Sequence, residues 1–98
     1  MQAISLSQSQ IDDFCQKHHI RKMAFFGSIV RDDYGPESDI DVLVEFQNGF
    51  TPGLDFFLIE AELSRLLGRK VDLQTNKFLS PDSYSSALAE LVVIYEQA

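Results

Sequence analysis

Apolar and polar positions change period several times along the chain, and each change marks an element. Ser7 and Gln10 have the spacing of a reciprocal N-terminal cap, and Ile11, Phe14, Cys15 and His18 then recur at helical intervals. This predicts an amphipathic helix over 7–18. A short strand over 22–26 follows, broken by Gly27-Ser28, where Ser28 is placed to cap a brief helix through Asp33 that Gly35-Pro36 ends. The next strand covers 39–46. Residues 47–53 hold Asn48-Gly49 and Pro52-Gly53, turn signals in a loop too long for a tight hairpin. Apolar residues at 56, 59, 63, 66 and 67 then mark a helix over 54–67, stopped by Gly68, with Arg65 and Arg69 near its negative end. A strand over 70–74 comes next. Ser80-Pro81-Asp82 opens a last helix in which Tyr84, Leu88, Leu91, Val92 and Tyr95 share a face. The expected order is αβαβαβα, an α/β (α+β) class with a small mixed sheet and flanking helices.

The 98 residues suffice for one domain over 1–98, which on folding buries roughly 60–65% of its extended surface. An apolar content of 45% is that of a globular chain and argues against disorder. Fifteen acids against eight bases give a net charge of −7, so generic nucleic-acid binding, which needs clustered Lys and Arg, is disfavoured. An acidic chain can still take a nucleotide if divalent cations neutralise carboxylates and phosphates together. The single Cys15 excludes an internal disulfide and fits a reducing cytoplasm. No stretch reaches the ~18 apolar residues of a membrane span, and the polar start is no signal peptide, so the expectation is a soluble cytoplasmic protein.

Candidate chemistry gathers at three aspartates. Asp39 and Asp41 stand two apart in a β-branched run, and side chains at i and i+2 of a strand share a face. Asp72, between Val71 and Leu73, adds a third carboxylate from another strand. Such a set suits Mg²⁺, which takes oxygen ligands at about 2.0–2.1 Å, and two ions about 3.5–4 Å apart can bracket both oxygens of a phosphoryl displacement. Asp72 would also be placed to draw a proton from an attacking hydroxyl. Taken alone, it reads as an edge carboxylate pairing with Lys70 or Arg69. Gly27 lets an anion approach the main chain, and the amides at the start of the helix expected after it are unpaired donors for a phosphate. Ser28 can add a hydroxyl and Arg31 a planar fork of N–H groups.

The run from Phe26 to Phe46, with Gly27-Ser28-Ile29-Val30-Arg31 followed by Ser38-Asp39-Ile40-Asp41, and a later strand aspartate, resembles the nucleotidyltransferases of the DNA polymerase β superfamily, in particular their minimal members. The detailed match covers about half the chain. The resemblance implies that Asp39, Asp41 and Asp72 coordinate Mg²⁺, two ions in all. It further implies that Gly27, Ser28, Arg31 and Ser38 hold the nucleotide, usually ATP, and that AMP passes to a hydroxyl with release of pyrophosphate. Small members of the family commonly act as antitoxins of an all-helical HEPN ribonuclease toxin, which makes a toxin tyrosine the implied acceptor. Polar Gln74, after Leu73, departs from the apolar residue usual there.

Several residues read as structural. The adjacent His18 and His19 cannot share one helical face and fit a helix end. Asp32, Asp33 and Glu37 fit a solvated loop, Lys77 an exposed one, and Tyr84 and Tyr95 core or partner contacts. Two other functions stay open at this level: a non-catalytic module that neutralises a partner by binding, and nucleotidyl transfer to a small molecule. A homo- or hetero-oligomer built on the last helix is a further expectation, because a chain this short cannot cover every apolar face.

Overall fold

The computed structural model describes residues 6–30, 35, 38–75 and 91–97, apart from the Ser28 side chain. Its elements are α1 (Gln8–Lys17), β1 (Ile20–Phe26), a 3-10 turn (Gly27–Ile29), β2 (Ile40–Phe46), α2 (Asp55–Leu67), β3 (Val71–Thr75) and β4 (Val92–Glu96). The strands form one mixed sheet in the order β3-β2-β1-β4. β2 runs antiparallel to β1 and parallel to β3, with α2 as the crossover that a parallel pair requires.

The first helix starts as its sequence directs. The Gln10 N–H donates to Ser7 Oγ at 3.2 Å while the Ser7 N–H donates to Gln10 Oε1 at 3.0 Å, so two otherwise unpaired amides are satisfied. Ile11, Phe14 and Cys15 point into the core, joined by Phe56, Ile59, Leu63 and Leu67 of α2. Leu66, expected on the same face, is exposed instead. Gly68 ends α2 in the left-handed region at φ +70°, which glycine adopts without strain. Both helices therefore cover one face of the sheet, formed by Met23, Phe25, Ile40, Val42, Val44, Val71 and Leu73.

One irregularity sets the phase of β1. Ile20 pairs with Phe46 and Lys22 with Glu45, so Arg21 is an extra residue. This bulge turns Ile20 to the core while Arg21 stays exposed and donates to Glu45 Oε1 at 2.8 Å. At the other edge α2 caps β3: the Val71 N–H donates to Ser64 Oγ at 3.0 Å and the Leu73 N–H to Glu60 Oε2 at 2.8 Å. An edge strand's outward amides are thus occupied.

The C-terminal end corrects the sequence reading. Val92 and Tyr95, expected on a helix, belong to β4, which pairs antiparallel with β1 through Phe25 and Met23. Val92-Val93-Ile94 is β-branched throughout, and the edge of β1 offers it a ladder interrupted by one register shift between Met23 and Ala24; helical spacing in so short an apolar run cannot outweigh that. Tyr95 does pack against the core. Leu91, also expected on that helix, is half-buried and precedes β4 outside any helix, while Tyr84 and Leu88 lie outside the described residues, as do Arg31, Asp32, Asp33, Glu37 and Lys77. Among the described residues no helix is long and apolar enough to cross a membrane.

Candidate active site

Strand alternation and register bring two of the three aspartates together. Asp41 is the second residue of β2 and Asp72 the second of β3, and the parallel register pairs them directly. Paired residues of adjacent strands lie on one face, about 4.8 Å apart along the hydrogen-bonding direction. That face is the one the two helices leave uncovered. Both carboxylates are half-buried there.

On its other side Asp41 pairs with Phe26, the last residue of β1, which puts Gly27 against the carboxylate. A Cβ at residue 27 would overlap Asp41 Oδ2 and stand 3.1 Å from its Cγ. The residue also has φ +78°. Glycine is therefore demanded twice, by backbone conformation and by the close approach. The chain then closes the 3-10 turn with the Val30 N–H donating to the Gly27 carbonyl at 3.0 Å. The Ser28 side chain and Arg31, expected to clamp phosphate beside this turn, lie outside the described residues.

Asp39 precedes β2 and is 43% exposed. Lys70 faces its Oδ2 at 3.8 Å, while the Lys70 carbonyl accepts from the Ile40 N–H at 2.9 Å, so the start of β3 is tied to the start of β2 twice. Lys70 was one of two partners open to Asp72 from the sequence; it pairs with Asp39 instead. Asp72 Oδ1 accepts from Gln74 Nε2 at 2.8 Å. Ser38 immediately precedes Asp39, its Oγ accepting from the Gly35 N–H and its N–H donating to the Gly35 carbonyl, each at 3.0 Å. Arg69 Nη2 donates to that carbonyl at 3.1 Å. A hydroxyl that accepts can still donate its own proton, so this role leaves Ser38 able to meet a phosphate.

Among the described residues no three acidic, His or Cys side chains converge as a metal cluster in the positions they occupy. The strand register brings Asp41 and Asp72 to one end of one face, while Asp39, just before β2, meets Lys70 and Asp72 meets Gln74. Like charges on neighbouring strands repel, which favours such partners. Asp41 and Asp72 nevertheless offer hard oxygen donors side by side, with Asp39 two residues from Asp41, a donor set that suits Mg²⁺ rather than a softer ion.

A family model described as a nucleotidyltransferase domain matches residues 8–94. The chain belongs to the nucleotidyltransferases. An inferred protein adenylyltransferase of Methanocaldococcus jannaschii is 45% identical over 74 residues, covering 66% of this chain and 74% of its own. Protein adenylyltransferase MntA of Thermococcus cleftensis is 33% identical over 79 residues, 81% of this chain and 79% of its own. A solved structure of an inferred minimal nucleotidyltransferase superposes with a TM-score of 0.73 at 30% identity, over 87% of this chain and 86% of that one. At the level of fold alone, a Shewanella oneidensis MNT antitoxin in complex with a tri-AMPylated HEPN toxin superposes with a TM-score of 0.67 at 15% identity, over 92% of this chain and 70% of that one. This minimal nucleotidyltransferase is thus an enzyme of the transferase class, as the resemblance of its motifs implied, on a mixed sheet of four strands rather than the three expected.

The residues that sequence reasoning did not assign to the site are Lys70, Arg69 and Gln74. Each was visible. Gln74 stands two residues after Asp72, the same interval that joins Asp39 to Asp41, and that interval alone places it on the aspartates' face.

Proposed function

We propose that this minimal nucleotidyltransferase, one domain over 1–98, transfers AMP from MgATP to a hydroxyl of a protein, and that the acceptor is a tyrosine of a HEPN-type toxin it neutralises. The observation that carries the reading is the direct pairing of Asp41 with Asp72 on the uncovered face, beside a glycine that cannot be replaced without displacing Asp41. In the reaction the acceptor oxygen bonds to the α-phosphorus of ATP and the bond from that phosphorus to the pyrophosphate oxygen breaks. The hydroxyl proton passes to Asp72, and pyrophosphate leaves.

Asp39, Asp41 and Asp72 would hold Mg²⁺, two ions in all, and the metal would neutralise charge on the triphosphate and on the transferred group. A chain of net charge −7 needs this, because it otherwise repels its own substrate. The amides of the turn after Gly27, with Ser28, Arg31 and Ser38, are assigned to the phosphates. The protein partner follows from two relatives, an adenylyltransferase by name and an antitoxin bound to an AMPylated toxin. A cytoplasmic setting suits the free thiol of Cys15, which is buried and whose pKa burial, with the nearby Asp12 charge, pushes up to about 12.

The test is label transfer from α-³²P-ATP to a co-purified HEPN toxin. Wild-type protein should label the toxin, whereas Asp39→Ala and Asp41→Ala should lose at least ~10²-fold in rate. Undiminished labelling in either variant contradicts the assignment. Full neutralisation of the toxin by a protein lacking all three carboxylates would mean that binding alone suffices.

A further inference from the structure

β3 is held so firmly that little of Asp72 is left to move except its side chain. On one side its register with β2 pairs Ile40 with Val71 and Val42 with Leu73, on either side of Asp72. On the other side the amides of Val71 and Leu73 donate to Ser64 and Glu60 of α2. Two torsions then decide where the Asp72 carboxylate points, and the like charge of Asp41 on the next strand pushes it away from a shared position. Gln74 opposes that push. Strand alternation sets it on the same face, and its Nε2 donates to Asp72 Oδ1 at 2.8 Å. Its own place is fixed, since it is half-buried and pairs in register with Leu43, which is buried.

The chemistry of the donor matters. Asp39 meets a lysine, a cation that must be displaced or outcompeted when a metal ion arrives. Asp72 meets a neutral amide, which orients one oxygen, adds no positive charge and leaves Oδ2 for a cation or an acceptor proton. Carboxylates that ligate metals are characteristically held by such outer partners.

We propose that Gln74 is a positioning residue for Asp72, fixing its carboxylate in the orientation that the metal and the acceptor hydroxyl use. The inference rests on the proposed role of Asp72. Its test is binding of Mn²⁺ in the presence of AMP-PNP, followed by electron paramagnetic resonance, together with kcat and KM for ATP. The proteins are wild type, Gln74→Met, which keeps the stem and removes the donor, and Gln74→Ala. Both variants should raise the half-saturating Mn²⁺ concentration about ten-fold or more and lower kcat by a similar factor. KM for ATP should stay within about two-fold of wild type, because Gln74 acts on Asp72 and is not assigned to the triphosphate. The half-saturation point does not depend on the folded fraction, so a poorly folding variant still reports. Wild-type Mn²⁺ affinity and kcat in Gln74→Met overturn the inference. Mn²⁺ binding that is unchanged in Asp41→Ala overturns instead the reading of the site itself, and the inference with it.

Discussion

β2 and β3 present two faces that differ by a single step along the chain. Ile40, Val42, Val44, Val71 and Leu73 are buried under α1 and α2. The intervening positions carry Asp41, Glu45, Asp72 and Gln74, all half-buried, with only Leu43 buried among them. The helix-covered face supplies the apolar burial that stabilises the sheet, at about 25 cal/mol per Å² of apolar surface. The face that the two helices leave open supplies carboxylates whose spacing the strands fix. A strand buried on one side thereby fixes, through its two-residue period, where the chemistry on its other side must stand.

That contrast can be broken most severely from the uncovered face. Asp41→Ala should cost at least ~10²-fold in AMP transfer while still giving a single cooperative thermal melt, since the apolar core lies on the other face of the strand. Parallel rate and thermal-melt measurements check both halves. On the covered face the effects should reverse: Leu63→Ala, which opens a cavity under the sheet, should cost about 2–5 kcal/mol in urea unfolding and leave kcat per folded molecule nearly unchanged. Gly27→Ala joins the two faces, because the added methyl group meets the Asp41 carboxylate in a backbone conformation that strains any other residue. It should lose about 1–3 kcal/mol of stability and at least ten-fold in transfer.

The smallest effect lies away from both faces. Glu62 of α2 joins the end of α1, with Oε2 at 3.0 Å from His18 Nε2 and Oε1 at 3.1 Å from Lys17 Nζ. The hydrogen bond with His18, opposed by partial burial and supported by Lys17, holds its pKa below the usual carboxylate value. A lowered folded-state pKa contributes stability above the unfolded pKa, which disappears as pH falls through the folded one. Glu62→Gln should therefore cost about 0.5–1 kcal/mol near neutral pH, and the gap to wild type should close in acid. Urea midpoints measured across that range give the comparison.

Local devices were legible in the sequence. The Ser7–Gln10 cap and the Gly68 stop each depend on residues within a few positions of one another; the strand expected over 39–46 begins one residue later and leaves Asp39 before it. The placement of Asp72 opposite Asp41 was legible only jointly with the family motif, since register is a long-range property. What escaped was also long-range. Val92–Glu96 reads as part of a helix until the unpaired edge of β1 is known, and the bulge at Arg21 is invisible without its partner strand. Lys70 and Gln74 were each noted for another reason, Lys70 as a partner for Asp72 and Gln74 as a departure from the family's pattern. Their pairing with Asp39 and with Asp72 needed coordinates.

In the proposed reaction the ends of β2 and β3 that the helices leave open hold the metal-bound nucleotide. A crystal of the protein grown with Mn²⁺ and AMP-PNP tests it directly through the anomalous scattering of manganese. Mn²⁺ should lie within ligating distance of Asp39, Asp41 and Asp72, with the triphosphate against the turn after Gly27. Manganese and nucleotide bound elsewhere, with those three carboxylates unligated, would contradict it.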